Sequence, residues 1–410
     1  MPATATGRLL LDVAVVLLAA RAGGMLFARV GQPPVIGELA AGVALGPTLL
    51  GALPGDPSSS LFPAATEQVL VAIGQLGLVL FMFTVGWDLD LNVVRRRGGA
   101  AASVSITSVL LPFALGLAIA SHLYPAHDIV AGASVPFWPF ALFIGASLAL
   151  TAFPVLARIL QESQLATTSL GGLVLSAAAV DDLIGWTVLA IALGVLASSN
   201  AWDYVRIMIE SALFIALTVS VVRPLLAYLV RNGSPVREIM PLAAAFAAGY
   251  VTDAIGIHAV FGAFLIGTAM PRHTHDIGLA KLRERVGPAV ALLAPIYFVT
   301  SGMTVDIPAL RAADLGDLAL ILAVACAGKF LGAFAGARVA GISVRESAAV
   351  GILMNTRGIV TIVLLTVGKD QGLIDDRLYT QLALMAIVTT LLTSPVLRRI
   401  KPRTGVLAGA

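Results

Sequence analysis

The segment SAAAVDDLIGW, residues 176–186, places two adjacent carboxylates near the centre of an apolar stretch that runs over 168–197. An apolar stretch of about 20 residues is long enough to cross the ~30 Å hydrocarbon core of a membrane. A charge at that depth costs about 3 kcal/mol on insertion scales, and adjacent carboxylates also repel one another. The pair Asp181 and Asp182 therefore predicts a functional site inside a membrane, since a purely structural polar contact would need only an asparagine.

The composition of the chain is that of an integral membrane protein. Of its 410 residues, 58% are hydrophobic and 12% are charged, whereas soluble proteins carry about 25% charged residues. The mean hydropathy of +0.95 points the same way. The net charge of +3 is too small for a nucleic-acid-binding surface. The single cysteine, Cys326, excludes an intrachain disulfide and a multi-cysteine metal site, and we expect no cofactor.

Apolar stretches of membrane-spanning length recur along the whole chain, and we predict an all-α polytopic protein with thirteen transmembrane helices. Their spans are 9–28, 33–52, 67–89, 99–121, 137–160, 168–197, 203–230, 239–255, 257–271, 284–304, 314–340, 345–368 and 377–397. Lys and Arg cluster in the loops after the odd-numbered segments, so we expect an outside N-terminus and a cytoplasmic C-terminus in the cell membrane. We expect one transporter domain without a soluble regulatory domain.

Two segments are interrupted near their centres. The fifth carries TAFPVLARIL, residues 151–160, and the twelfth carries NTRGIVTIVLL, residues 355–365. Because they lie seven segments apart, they enter the membrane in opposite senses, which is typical of transporters built from inverted repeats around a central binding site. We predict a first repeat over about 9–197, a linker helix over about 203–230 and a second repeat over about 239–397, with discontinuous helices 5 and 12 crossing.

The two carboxylates are expected to have different roles. Neighbouring residues on a helix diverge by about 100°, so one of Asp181 and Asp182 can face a cavity and titrate while the other pairs with a neighbouring helix. Lys329 is the natural partner, because it lies near the centre of the eleventh segment between Gly328 and Gly332. A nearby carboxylate would keep this lysine charged. The alternative is a lysine that extends to the membrane interface.

Further polar residues lie at the two interruptions. Arg357 stays charged in a protein, and at the twelfth-segment break it can offset the negative ends of two half-helices. Thr151 and Asn355 can supply oxygen ligands, which suit a hard monovalent cation. Glu38 can pair with Arg29 or lie at the cytoplasmic mouth of a pathway.

With these residues in place, the chain resembles the cation:proton antiporter-2 superfamily of monovalent cation/proton exchangers. The resemblance is carried by seven motifs in matching order. They are QPPVIGELAAGVALGPTLLG at 32–51, LGLVLFMFTVGWDLDL at 76–91, TAFPVLARIL, the aspartate pair, AFLIGTAMPR at 263–272, PIYFVTSGMTVD at 295–306, and GKFLGA with NTRG. Each motif is weak alone, but together they cover nearly the whole chain.

The resemblance implies a homodimer in which a mobile core of helices 4–6 and 11–13 moves against a dimerisation scaffold of helices 1–3 and 8–10, with helix 7 linking the halves. It also implies that Asp182 binds cation and proton alternately and that Asp181 pairs with Lys329, as in electrogenic sodium-type members. Two positions depart from many relatives, because Thr361 stands where they carry an acid and the positions around Phe153 are uncharged.

We therefore expect a secondary active transporter, not an enzyme, that exchanges Na⁺ for protons by alternating access. Asp182 and Thr151 would be transient Na⁺ ligands, and Lys329 a proton carrier or an ion-pair partner. The alternatives are a K⁺/H⁺ antiporter on the same scaffold, a symporter of anions or organic solutes, and an intramembrane aspartyl protease. The protease is the most remote, since its two carboxylates must face one water molecule from separate helices.

Overall fold

The protein folds almost entirely into α-helices. A computed structural model describes residues 5–400 except 89–97, 153–154, 157–158, 161–162, 164, 166–167, 179, 182–183, 185–200, 233–237, 256–258 and 272–276. The helices are α1 (Ala5–Arg29), α2 (Pro34–Leu45), α3 (Pro57–Leu61), α4 (Ala64–Asp88), α5 (Gly98–His127), α6 (Phe137–Ala149), α7 (Ser169–Ala178), α8 (Ala201–Leu217), α9 (Arg223–Arg231), α10 (Met240–Ile255), α11 (Ala259–Ala269), α12 (Ile277–Met303), α13 (Ala312–Val339), α14 (Val344–Met354), α15 (Ile359–Asp370) and α16 (Asp376–Ile400).

The helix lengths confirm a multi-pass membrane protein. Seven spans within the described residues are long and apolar enough to cross a membrane, and further apolar helices are shorter, as expected for interrupted segments. The seven are Thr6–Arg29, Ala64–Asp88, Gly99–His127, Val205–Leu229, Lys281–Met303, Ala312–Val339 and Asp376–Ile400. The count of thirteen helices and their inverted-repeat relationship stay predictions.

Two connections are more ordered than the sequence suggested. α5 continues to His127 and is followed by an antiparallel hairpin of β1 (Ile129–Val130) and β2 (Ala133–Ser134). The turn between these strands has positive φ at both central residues, Ala131 and Gly132, which is the geometry that suits a two-residue hairpin. Before α4, Asp56 accepts a hydrogen bond from the Ser59 amide and so caps the short α3.

At both predicted interruptions a helix ends and the backbone that follows is not helical. α6 ends at Ala149, and the next residue, Leu150, has extended backbone. α14 ends at Met354 and α15 begins at Ile359, so the intervening residues are not helical. The two ends meet, because the Ala152 amide donates a hydrogen bond of 3.0 Å to the Thr356 carbonyl.

The chain divides into two compact units that alternate along the sequence. Unit 1 comprises Met1–Arg21, Leu53–Asp90 and Leu193–Thr300, and unit 2 comprises Ala22–Ala52, Leu91–Ala192 and Ser301–Ala410. Unit 2 thus contains the helices expected to form a mobile core, together with α2, which the resemblance placed in the scaffold. All described residues of the candidate site belong to unit 2.

Within unit 2, α5 and α13 approach each other closely along a line of glycines. Gly328, Gly332 and Gly336 recur every fourth residue on α13, so they share one face of that helix. A Cβ added at Gly332 would overlap the carbonyl oxygen of Thr107 on α5. Since lipid supplies no hydrophobic force between helices, such close backbone packing is what holds this pair together.

Gly332→Ala is therefore expected to destabilise the protein by about 1–3 kcal/mol, because the added methyl group has no room against the Thr107 carbonyl. The matched control is Gly316→Ala on the same helix, where nothing lies within 4 Å of an added Cβ. Thermal unfolding of the purified protein in detergent compares the two variants. Equal melting temperatures for both would contradict the close-packing account.

Candidate functional site

Asp181 lies at the centre of a cluster of polar side chains in unit 2. Its backbone is helical, three residues beyond the end of α7, and its side chain is fully buried. Oδ1 accepts a hydrogen bond of 2.6 Å from Ser105 Oγ, and Oδ2 accepts one of 2.9 Å from Ser108 Oγ. Oδ2 also lies 3.0 Å from Thr151 Oγ1 and 2.7 Å from Lys329 Nζ. An ionised carboxylate is an acceptor only, and these partners can all donate to it.

Lys329 is the cationic partner of this carboxylate, and it too is fully buried. Its Nζ donates to Asp181 Oδ2 at 2.7 Å, to the Ser108 carbonyl at 3.0 Å and to the Ala149 carbonyl. An ammonium group has three N–H donors, and each has an acceptor in this arrangement. The contacts are therefore those of a charged lysine in an ion pair, the pairing that the resemblance implied.

Helix ends and glycines together position this pair. The carbonyl of Ala149 is one of the carbonyls that α6 leaves unpaired at its carboxyl end, so Lys329 satisfies it. α13 and α5 are also close at Gly328, where an added Cβ would lie 3.0 Å from the Cα of Pro112 on α5. This close approach places the Ser108 carbonyl of α5 within reach of Lys329 on α13.

Arg357 lies at the break between α14 and α15 and is also fully buried. Its guanidinium donates to the Ser147 carbonyl at 2.6 Å and to the Leu148 carbonyl, which belong to the last turn of α6. A cation at the carboxyl end of a helix is stabilised by the helix dipole. Within the described residues no carboxylate pairs with Arg357, and the nearby Thr361 in sequence has a buried hydroxyl without a hydrogen-bond partner.

Thr151 connects the carboxylate with the break in the second half of the chain. Its single hydroxyl proton has two acceptors, Asp181 Oδ2 at 3.0 Å and the Met354 carbonyl at 3.1 Å. Donation to either one leaves lone pairs on the Thr151 oxygen that a cation can use. The predicted site residues Asp181, Thr151 and Lys329 are thus brought together.

Other predicted residues lie elsewhere or outside the described part of the chain. Asn355 donates from Nδ2 to Cys326 Sγ at 3.6 Å, and its buried Oδ1 has no partner, so its role as a ligand stays a prediction. Glu38 is half-buried on α2 beside Gly24 of α1. Asp182 lies outside the described residues, as does Phe153.

Ser105 and Ser108 are site residues that the sequence analysis missed. The signal was their spacing of three residues in an apolar helix, which puts both hydroxyls on one face. Within the described residues no group of three or more His, Cys, Asp or Glu side chains could hold a metal ion. The cluster therefore offers hydroxyl and carbonyl oxygens and one carboxylate, a set suited to a weakly held monovalent cation.

A second polar cluster lies at the carboxyl end of α5, away from Ser105 and Ser108. His127 is buried, and its Nδ1 lies 2.9 Å from both carboxylate oxygens of Asp375. Burial favours the neutral form of Asp375, but hydrogen bonds from His127 and the Leu378 amide and the charge of Arg377 outweigh it and hold the Asp375 pKa below its usual value. These contacts connect the carboxyl end of α5 with the turn that precedes α16.

Comparison with known proteins gives a consistent result. A family model described as the transmembrane sodium/hydrogen exchanger matches residues 14–400. The Na⁺/H⁺ antiporter NhaS4 of Synechocystis is 36% identical over 96% of this chain and 97% of its own length. Cation/H⁺ antiporter 20 of Arabidopsis thaliana is 34% identical, and K⁺/H⁺ antiporter 1 of Saccharomyces cerevisiae is 32% identical. These two matches include 97% and 96% of this chain, but the chain spans only 49% and 46% of the length of those two relatives.

Solved structures show a similar fold. The sodium proton antiporter MjNhaP1 from Methanocaldococcus jannaschii matches with a TM-score of 0.62 over 94% of both chains. The identity between the two sequences is 17%, so this likeness concerns the fold alone.

Breaking the Asp181–Lys329 pair from one side should destabilise the protein by about 3–5 kcal/mol, because the remaining charge stays buried without its partner. The double variant Asp181→Asn/Lys329→Met should lose less stability than either single variant, since both charges are removed together. Thermal unfolding in detergent measures all three. The control is Glu210→Gln, which breaks an exposed pair with Arg206 and should cost no more than about 0.5 kcal/mol. Additive losses in the double variant would contradict a direct interaction.

Proposed function

This chain belongs to the sodium/hydrogen exchanger family of membrane antiporters, and we propose that it exchanges Na⁺ for protons across the cell membrane by alternating access. The observation that carries the proposal is the buried Asp181–Lys329 ion pair beside two meeting helix ends. A buried ion pair is costly to keep in a membrane, and such residues in membrane proteins are commonly part of ion or proton pathways. Members of this family are transporters rather than enzymes.

In the proposed cycle, Asp182 is the group that binds cation and proton in turn. When it is deprotonated, it holds a partly dehydrated Na⁺ together with the Thr151 oxygen and backbone carbonyls at the breaks. Protonation of Asp182 removes the negative charge, releases Na⁺ and makes the return of the empty site inexpensive. Cation and proton therefore exclude one another. The position of Thr151, within hydrogen-bonding distance of Asp181 and of the Met354 carbonyl, supports this step.

Lys329 is proposed to add a second proton to the cycle. Na⁺ bound close to Asp181 competes with the ammonium group for the carboxylate oxygens. Lys329 is then held only by the Ser108 and Ala149 carbonyls, and a buried ammonium without a carboxylate loses its proton readily. Release of one proton from each site per Na⁺ makes the exchange electrogenic.

The remaining features of the proposal concern assembly and orientation. We propose a homodimer in which the core of helices moves against a scaffold, with the N-terminus outside and the C-terminus cytoplasmic. Large aliphatic side chains lie exposed along α1, as they would on a surface that faces lipid or a second subunit. They are Leu10, Leu11, Leu18, Met25 and Leu26.

A K⁺/H⁺ antiporter on the same scaffold is the second candidate. It is favoured by the yeast relative, which is named a K⁺/H⁺ antiporter and is 32% identical to this chain. The carboxylate at Asp181 supports Na⁺, because the resemblance implies that an aspartate paired with a lysine is typical of electrogenic sodium-type members. An aspartyl protease is disfavoured by the contacts of Asp181, whose oxygens are occupied by Lys329 and by hydroxyl groups.

Asp182→Asn should abolish cation-driven proton movement, because the amide can neither ionise nor release a proton. The measurement is proton flux in proteoliposomes after addition of Na⁺, Li⁺ or K⁺, with Na⁺ expected to drive the fastest wild-type exchange. Asp317→Asn is the control, since Asp317 at the start of α13 pairs with exposed His122 near the carboxyl end of α5, and its loss should leave exchange intact. Unchanged Na⁺-driven flux in Asp182→Asn would refute the assignment, and a faster response to K⁺ would favour the second candidate.

A further inference from the structure

We propose that a small monovalent anion, with the chemistry of chloride, binds at the amino end of α15 between Arg357 and Thr361 as the counter-ion of the buried guanidinium. The inference goes beyond the proposed exchange of cations for protons and does not depend on it. Its basis is a group of buried hydrogen-bond donors around the start of α15 that lack an acceptor within the described residues.

The first turn of α15 is buried and has no capping side chain. Its N-cap residue is Gly358, and both Gly358 and Thr361 are buried. Ile362 is the first residue of the helix whose amide bonds back to the N-cap, at 3.0 Å from the Gly358 carbonyl. The amides before it have no acceptor within the helix and carry the positive end of its dipole. Inside a membrane protein these amides need an acceptor from elsewhere.

Arg357 immediately precedes this turn and adds a full positive charge. Its two terminal nitrogens donate to the Ser147 and Leu148 carbonyls, but its Nε is buried without a partner. Carbonyl dipoles solvate a guanidinium group without neutralising it, and within the described residues no carboxylate pairs with this one. Because an uncompensated buried charge is costly, a bound anion beside Arg357 would be favoured electrostatically.

Two threonine hydroxyls in the same stretch also lack partners. Thr361 Oγ1 lies in the first turn of α15, at the position from which a side chain can reach the free amides. Thr356 Oγ1 lies next to Arg357 in sequence, and both hydroxyls are fully buried and make no hydrogen bond to any described residue. Nearly all buried polar groups in proteins are bonded, so groups left over mark the place of a water molecule or an ion.

The chemistry of these groups selects an anion over a cation. Guanidinium and amide N–H groups can only donate and hydroxyls can donate, so the ligand that they share is an acceptor. The helix dipole and the charge of Arg357 both repel a cation. Asn355 has a free acceptor oxygen, but it ends α14 and its amide group contacts Cys326 on α13.

Water is the alternative occupant. A buried water molecule also accepts hydrogen bonds, but it leaves the charge of Arg357 without a counter-ion. Amides at the amino end of a helix bind anions through the combination of free N–H groups and dipole found here. A single guanidinium matches one negative charge, which favours a halide over a divalent anion such as sulfate.

The direct test is equilibrium dialysis of the purified protein in detergent against radioactive chloride. Sodium gluconate replaces sodium chloride, so that the Na⁺ concentration and the ionic strength stay constant. Wild-type protein should hold about one chloride per chain, displaceable by bromide, because one helix end offers one site. Thr361→Val keeps the shape of the side chain without its hydroxyl and should weaken binding about tenfold, equivalent to one lost hydrogen bond to a charged ligand.

Thr389→Val is the matched control for this variant. Thr389 is equally buried in the same unit, but its hydroxyl donates to the Met385 and Ala386 carbonyls of its own helix, α16. We expect this variant to bind chloride as the wild type does. Equal chloride binding by Thr361→Val and Thr389→Val would overturn the proposed site.

Thermal unfolding supplies a second readout. Chloride at about tenfold its dissociation constant should raise the wild-type melting temperature by about 2 °C through mass action. Thr361→Glu places a carboxylate in the first turn, where it can bond to the free amides and pair with Arg357. This variant should melt higher than wild type in gluconate and should bind no chloride. Thr361→Gln has the same size without the charge and should not be stabilised.

The two readouts together decide between an anion and water. A wild-type melting temperature that does not respond to chloride, with equal melting of Thr361→Glu and Thr361→Gln, would show that water alone satisfies these groups and would overturn the proposal. If Thr361→Glu does not fold, the dialysis comparison of Thr361→Val with Thr389→Val decides alone. Neither readout uses cation-driven flux, so a failure of the proposed exchange function would be recognised separately.

Discussion

The structure of unit 2 depends on keeping one ion pair, Asp181 with Lys329, fully buried in a membrane domain. Desolvation of two charges costs several kcal/mol per ion, and their mutual attraction offsets this only when the remaining donors and acceptors are also satisfied. Here the ammonium has three acceptors and the carboxylate has four donors. The polar partners come from α5, from the end of α6 and from the break that follows it, so the pair requires the tertiary fold rather than a single helix.

The interrupted helices follow from this constraint. An unbroken helix uses its carbonyls internally, whereas a helix that ends inside the protein leaves its last carbonyls free. The carboxyl end of α6 supplies Ala149 to Lys329 and supplies Ser147 and Leu148 to Arg357. Within the described residues, one helix end thus stabilises two buried cations, and Asp181 is the one carboxylate that pairs with either of them.

Much of this arrangement could be predicted from sequence, and the rest follows from packing that a single sequence does not display. Asp181 and Lys329 are conspicuous because charged residues at the centres of apolar segments need partners. Serine is ordinary in membrane helices, so the contacts of Ser105 and Ser108 with Asp181 emerge only from the packing of α5 in the structure. The partners of Arg357 could not be predicted, because free carbonyls depend on where α6 ends. The extension of α5 to His127 depends likewise on its contact with Asp375, far away in sequence.

The most direct measurement of the role of this pair is the number of protons released when Na⁺ binds to the purified protein. Calorimetric titration with NaCl in buffers of different ionisation enthalpy gives that number without reconstitution into vesicles. If Asp182 and the Asp181–Lys329 pair each give up a proton, wild-type protein releases about two protons per Na⁺ near the midpoint of its pH profile, and Lys329→Met releases about one. Equal proton release by wild type and Lys329→Met would contradict a proton-carrying role for the buried pair.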